Sequence, residues 1–541
     1  MKKLISLLLC AVMLCCFIVP AAAYGDYSVA TQTLNKILDE YRAALKNGES
    51  YVPLSSYGLS GADVSADLFV LFAHANADVA SISFGKYSET YVTFTLDKSD
   101  SGAIKGVKLD YFDRYKKADG TCDLERVEED RKIISERFNT AKSLAQRKMA
   151  DAEKALVLYD FIISSASYAE PTGTDDDGNE IYPEDAYTTV GLLCDGSAVC
   201  AAYAKLYAIL LNEAGIPAIT VDSDTIDHEW VMAKIDGEWY HCDPTWDDWV
   251  FTSGYTALWD MNNDSSDIGS AVHEFFLKSD DEIKELEHPD WSVSYNVNPD
   301  NIDVVPESGR SGSFDDKFFS DKNETYSVYS TFSYINGNWY FCDLNSMKVI
   351  RATYDGDIEE ISMPDGSLPK YSFGYKNDLY VCSDFFVYRY DTVGGKFDRI
   401  IEIPEDKRDS SDFSEMNVSF DTMTLITATY KFDENGDPTE AEYDVQTLDM
   451  KELENADPII YENDESAVET ASRGGDTAEE VTLVRPDKNS GTLSAEDRAL
   501  MEMAETAGKR MMAFIYLGVA VVFIVFAVIA VVLAIKYTKK K

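Results

Sequence analysis

Residues 227–248 read DHEWVMAKIDGEWYHCDPTWDD, and the Asp236-Gly237 pair at their centre leaves this stretch little choice of fold. Two residues that tolerate positive φ, set between alternating apolar runs, specify a two-residue hairpin turn. That turn puts Ile235 opposite Glu238 and, counting outward, His228 opposite Thr245. Side chains alternate along a strand, so Asp243 projects from the same face as Thr245. It becomes a diagonal neighbour of His228, about 7–8 Å away between backbones and within side-chain reach. The hairpin is therefore expected to present a histidine beside a carboxylate that can orient it and balance its charge. His241 shares the face of Asp243 and is the rival base. Cys242 points the other way and reads as structural.

A nucleophile for this pair comes from LLCDGSAVCAAYAKLYAILLNEAGIP, residues 192–217. Tyr203, Tyr207, Leu210, Leu211 and Ala214 fall on one helical face, and Gly215 followed by Pro217 supplies a stop. Asp195 or Ser197 is expected to cap the start, which places Cys200 in the first turn. Unpaired backbone N–H groups and the helix dipole favour an anion there, and the thiolate is the attacking form of cysteine. Alone, such a cysteine reads as a small core hydrophobe. With His228 and Asp243 it completes a nucleophile–base–orienter set.

The segments AVCAAYAKLYAILLNEAGIP, HEWVMAKIDGEWYHCDPTWDD and FFLKSDDEI together resemble bacterial transglutaminase-like domains. The pattern of that family is V-C-x-G-Y-A, then H-x-W with a hairpin, then D-x-T-W-D-D, and the resemblance covers Asp151–Trp291. It implies a papain-like α+β core in which Cys200 is the nucleophile, His228 the base and Asp243 the orienting acid. The implied chemistry is acyl transfer through a Cys thioester, ending in protein cross-linking or in amide hydrolysis. A protein or peptide is the implied substrate, with an amine as the optional acceptor, and no cofactor or metal is expected. The alternative is an idle fold serving as a surface scaffold. Three positions depart from the family: Ala202 stands for a glycine, Val231 for an asparagine, and Val190 for an upstream aromatic residue. The oxyanion-stabilising group is left unassigned.

At 541 residues the chain exceeds one domain. Residues 1–23 have the basic start, apolar centre and A-x-A end of a cleaved secretory signal. Residues 24–150 form an α+β region: a helix through TLNKILDEYRAALKNG ended by Gly48, then strands at YVTFTL and IKGVKLDYF. The transglutaminase-like domain, 151–300, opens with a helix through EKALVLYDFIISSASY and a polar turn, GTDDDGNEIYPED. In residues 301–460, Trp339–Cys342 aligns with Leu379–Cys382, and the turns Asn336-Gly337 and Asn377-Asp378 nearly align, a period of about 40 residues. A weaker third copy runs from VSFDTMTLITATYKF to EYDVQTL. Such a period reads as an all-β repeat domain, propeller-like or a stack of sheets.

Residues 461–510 are an acidic flexible stalk, poor in large apolar residues. Residues 511–536 are a transmembrane helix, whose uncharged Ala513–Ile535 is long enough for the ~30 Å hydrocarbon core. The basic tail, 537–541, stays cytoplasmic. The expected whole is a single-pass protein of a bacterial cell membrane with an extracellular ectodomain. Its 96 acidic against 48 basic residues, a net charge of -48, disfavour nucleic acid as a partner. Of nine cysteines three lie in the leader, and the other six are too sparse for a disulfide scaffold. Cys342 and Cys382, in equivalent places on sheets about 10 Å apart, are expected to be free because that gap exceeds disulfide reach.

Overall fold

Thr31–Asn47 forms α1, which buries the stripe Leu34, Ile37, Tyr41, Ala44 and Leu45 and ends at Gly48 with φ 69°. The computed structural model of the chain describes residues 29–175, 178–248, 273–295, 332–343, 345–432 and 438–459. The expected signal, stalk, membrane helix and tail lie outside these residues. Among the described residues no helix is long and apolar enough to cross a membrane.

After β1 (Tyr51–Pro53) come α2 (Ala62–Val79), the hairpin β2 (Ser81–Phe84) and β3 (Tyr87–Thr90), and then β4 (Val92–Lys98) and β5 (Ile104–Tyr111). β4 and β5 are the expected antiparallel pair, and β1 lines the other edge of β5. α3 (Leu124–Leu144) leads to α4 (Asp151–Ser165), buried on nearly every side, including the run Ala155–Asp160. A helix that apolar all round belongs in the middle of a fold rather than on its surface.

Short pieces follow: β6 (Ser167–Tyr168), β7 (Gly173–Thr174), β8 (Glu180–Ile181), α5 (Thr189–Asp195) and β9 (Ser197–Ala198). β7 and β8 pair around the polar turn expected there. α6 (Cys200–Glu213) then packs on α4 and on an antiparallel sheet of order β12-β11-β10-β13. These strands are β10 (Ala218–Ser223), β11 (His228–Ile235), β12 (Glu238–Cys242) and β13 (Ser292–Tyr295), with α7 (Asp280–Glu285) between the last two. Tyr203, Leu206, Tyr207, Leu210 and Leu211 of α6 are all buried. Each such side chain contributes about 1.5–3 kcal/mol of burial free energy.

The repeats form three antiparallel sheets. β14 (Ser333–Ile335), β15 (Asn338–Asp343), β16 (Lys348–Ala352) and β17 (Ile358–Ile361) make the first; β18 (Tyr371–Tyr375), β19 (Asp378–Cys382), β20 (Phe386–Asp391) and β21 (Lys396–Glu402) make the second. β22 (Ser411–Ser419), β23 (Thr422–Phe432) and β24 (Pro438–Asp449) make the third, followed by α8 (Met450–Glu454). Trp339–Cys342 and Leu379–Cys382 hold equivalent places on β15 and β19, and Cys342 and Cys382 are free and buried.

The second turn needs correcting by one residue. Tyr375 pairs with Asp378, so Lys376-Asn377 forms the turn, with Lys376 at φ 55°, as Asn336 at φ 51° does in the first copy. β14, β18 and β22 lie side by side, and α4 packs against both β14 and β22. Three sheets are too few to close a propeller on themselves; here the arc closes on a helix. One apolar core accordingly runs from α1 through α6 to Trp339, Phe341 and Ile350 of the first sheet.

Candidate active site

Cys200 is the first residue of α6, but neither expected cap is used. The N-cap is Val199, which offers no side-chain hydrogen bond. Gly196, at φ 66°, ends α5 and turns the chain into β9, separating Asp195 from α6. Asp195 is instead drawn to Arg114, which also binds Asp130 at 2.5 Å and Asp185 at 3.3 Å. β9 is pinned beside β6, with Tyr168 paired to Ala198. Val199 N–H donates to the Ala186 carbonyl at 2.9 Å, so the backbone entering Cys200 is held on both sides.

The hairpin register is as expected over Val231↔Cys242 to Ile235↔Glu238, and Asp236 and Gly237 both take positive φ, 51° and 91°. The expected pairing of His228 with Thr245 does not form. β12 ends at Cys242, and His228 pairs with Ser223 of β10 instead. The chain leaves the strand because the Asp243 carboxylate accepts from its own turn, Thr245 N–H at 2.9 Å and Trp246 N–H at 3.3 Å. That turn carries Asp243 back to His228, and His228 Nε2 lies 2.6 Å from Asp243 Oδ2. Cys200 lies near enough to the imidazole to favour its charged form. All three expected residues therefore meet, with Asp243 fully buried, His228 nearly so and the cysteine half-buried.

Electrostatics follow from this geometry. Burial works against a charged His228, but the Asp243 charge and hydrogen bond, with Cys200 added, outweigh it and raise its pKa to about 10. Burial likewise works against an ionised Asp243, and the two histidines that face it overcome this and hold its pKa below the usual carboxylate range. The second histidine is His288, whose Nε2 is 3.0 Å from Asp243 Oδ2 and whose Nδ1 faces the Leu286 carbonyl at 2.9 Å. No motif spacing pointed to it. His228 is flanked by the rings of Trp230 and Trp246, at 5.9 and 5.3 Å between centroids.

The rival base, His241, is committed elsewhere. Its Nδ1 accepts from the Trp230 indole at 2.9 Å and its Nε2 faces Asp280 at 2.9 Å. Asp247 and Asp248, which end the hairpin motif, fasten the turn to the helices beneath. Tyr159 of α4 donates to Asp247 and, at 2.6 Å, to the Asp243 carbonyl, while Tyr203 of α6 donates to Asp248 at 2.5 Å. Cys242 is buried, as expected, and burial pushes its thiol up to about 12.

Ala202, Val231 and Val190, the three departures from the family pattern, all lie in the apolar core. Tyr168, paired with Ala198 two residues before Cys200, lies near enough to the cysteine that burial and then Cys200 push its phenol well above the ordinary range. Among the described residues, His228, Asp243 and His288 bring potential metal-ligand atoms within 4.8 Å of one another. The hydrogen bonds just described account for that convergence.

Residues 139–244 match the model of the Transglutaminase-like superfamily, a segment that includes Cys200, His228 and Asp243. A crystal structure of a TGase is similar over 28% of this chain and 44% of its own, at 15% identity and a TM-score of 0.18. The chain thus spans less than half the length of that TGase. Selenomethionine-substituted virginiamycin B lyase from Staphylococcus aureus is similar over 23% of this chain and 41% of its own, at 18% identity and a TM-score of 0.17. No curated protein matches the chain.

Proposed function

From a transglutaminase-like superfamily domain over residues 139–244, we propose that this protein is a thiol acyl-transfer enzyme. Cys200 attacks a glutamine side-chain amide or a peptide bond, the departing amine takes a proton from His228, and a thioester forms. An amine then resolves it to an isopeptide cross-link, or water resolves it to an acid. The observation that carries this reading is His228 held between Asp243, at 2.6 Å, and Cys200. A histidine whose pKa stands near 10 is charged at neutral pH, so the proton a leaving amine needs is already in place. The same proposal puts the enzyme on the outer face of a bacterial membrane, anchored by residues 511–536, where protein or peptide substrates and amines are its partners.

The test incubates the purified full-length protein with a fluorescent primary amine and a glutamine-rich protein, beside Cys200→Ala. The expected result is amine incorporation or ammonia release that disappears in Cys200→Ala. If Cys200 alkylates no faster than an ordinary free thiol and neither product depends on it, the scaffold reading replaces this one.

A further inference from the structure

The turn that joins β22 to β23 is wedged between other parts of the fold. Ser419 pairs with Thr422, which leaves Phe420-Asp421 as a two-residue turn with Phe420 at φ 51°. On one side the turn is braced by its neighbours. The Asp421 carboxylate accepts from Tyr375 of β18 and from Lys451 of α8, each at 2.9 Å, and the Asp421 carbonyl accepts from Met450 N–H at 2.8 Å. A hairpin tip bonded through both backbone and side chain has little freedom to swing.

The other side of the turn meets the ends of two helices of the superfamily domain, where the last carbonyls have no partner within the helix. Ser419 Oγ donates to the carbonyl of Ser165, the last residue of α4, at 2.7 Å. The Phe420 ring meets Phe161 of the same helix edge-on, at 6.2 Å between centroids. Its face carries the Arg137 guanidinium of α3 at 3.9 Å. That guanidinium donates to the carbonyls of Leu193 and Cys194 at the end of α5, at 2.7 and 2.8 Å. Stacking on the ring thus fixes the plane of the group that caps α5. Gly196 follows, and it lies so close to the turn that a Cβ there would collide with Ser419 Oγ and the Ser165 carbonyl.

Little slack remains between Gly196 and the sulfur. The Gly196 carbonyl accepts from Ser167 N–H, Val199 N–H donates to the Ala186 carbonyl, each at 2.9 Å, and Ser197-Ala198 is paired with β6. A displacement of Gly196 therefore carries through to the first residue of α6, which is Cys200.

We propose that Ser419 and Phe420 are positioning residues for Cys200: the turn of the third sheet, with Arg137, seats Gly196 and so sets where the sulfur lies relative to His228. This rests on the acyl-transfer reading above. The repeat sheets are then a working part of the site rather than a spacer. Both residues act through the backbone of Gly196–Val199, so they govern rate rather than substrate affinity.

The experiment measures kcat and KM for amine incorporation or ammonia release, with a fluorescent primary amine and a glutamine-rich protein. It uses the full-length wild type, Cys200→Ala, Phe420→Ala, Phe420→Tyr and Leu425→Ala, with a urea midpoint for each. Leu425 lies further along β23, buried in the apolar cluster shared by the second and third sheets, so its truncation weakens the third sheet without touching the turn. Phe420→Ala is expected to lower kcat about 10-fold with KM near the wild-type value, because small misplacements of a reacting group are costly. Phe420→Tyr keeps the ring under Arg137 and should keep the wild-type kcat. Leu425→Ala should keep it too, despite a urea midpoint at least as low as that of Phe420→Ala. An unchanged kcat in Phe420→Ala overturns the proposal and leaves the acyl-transfer reading standing. So does an equal fall in Leu425→Ala, which would make the turn a matter of stability alone. If neither product depends on Cys200 in the wild type, the acyl-transfer reading has failed and takes this proposal with it.

Discussion

His288 and His228 meet on one oxygen: Asp243 Oδ2 lies 3.0 Å from the first imidazole and 2.6 Å from the second. The other carboxylate oxygen accepts from Thr245 and Trp246 N–H, so Asp243 is held by four donors and cannot rotate away from His228. Removing His288 leaves a buried carboxylate short of one partner, which costs about 1–3 kcal/mol. His288→Phe is expected to lower the urea midpoint accordingly, and His288→Gln, which can still donate to Asp243, to lower it less. Because three donors remain, the proposed Cys200-dependent acyl transfer should persist in both. Equal midpoints for His288→Phe and the wild type would show that the contact contributes nothing.

The Asp243–His228 pair sets a pH window for stability. Asp243 titrates below its ordinary 3.8 in the folded chain. Its contribution is present above that value and is lost as pH falls through the depressed one. His228 is raised from 6.5 to about 10, so its contribution is complete below 6.5 and is lost as pH climbs toward 10. Asp243→Asn removes the charge behind both shifts. Thermal melts across this range should show the wild type losing its advantage over Asp243→Asn at both ends, and the His228 ring protons should titrate lower in the variant. An Asp243→Asn difference independent of pH would refute the assignment.

That Cys200, His228 and Asp243 come together was legible in the sequence because each sits beside a local signal: a helix start, a two-residue turn and the strand that follows it. His288 was not, since it lies 45 residues from Asp243 on a segment with no periodicity tying it to the hairpin. Tyr168 was hidden for a similar reason, because a two-residue parallel pairing with β9 leaves no alternation to read. The cap of α6 was misplaced because Asp195 and Ser197 are good capping residues, and local chemistry alone cannot reveal that Arg114 claims the first and β9 the second. The repeat was visible from its spacing, but its closure was not. The helix that completes the arc lies far upstream, and nothing in the repeats themselves announces it.

Asp248 offers a different pH signature. Burial raises its carboxyl well above the ordinary 3.8, with the Tyr203 hydrogen bond only partly opposing it. The unfolded chain ionises this group above 3.8 while the folded one resists. Rising pH therefore favours unfolding by up to about 1.4 kcal/mol per pH unit until the folded group also ionises. Asn at this position keeps an acceptor for Tyr203 and never ionises. Melting temperatures of Asp248→Asn relative to wild type should rise between about pH 4 and pH 7. A difference that stays flat over that interval would mean that Asp248 is already ionised in the fold.

A hydrogen bond from Trp339 ties the first repeat sheet to the helix beneath the candidate site. Its indole Nε1 donates to Asp160 Oδ2 at 2.7 Å, and the other oxygen of Asp160 lies 2.6 Å from His273 Nε2. Asp160 is on α4 next to Tyr159, whose hydroxyl holds the Asp243 carbonyl at 2.6 Å, so the sheet and the site share a helix turn. Trp339→Phe keeps most of the apolar surface but takes the donor from a buried carboxylate, at a cost of about 1–3 kcal/mol. Trp339→Ala also opens a cavity and should cost about 3–5 kcal/mol. Because one core spans the first sheet and the helices, far-UV circular dichroism and tryptophan fluorescence should report coincident urea transitions in the wild type and in Trp339→Phe. Two separated transitions in the wild type would mean that the repeat sheets unfold independently of the site, and the indole bond would then be an incidental contact between them.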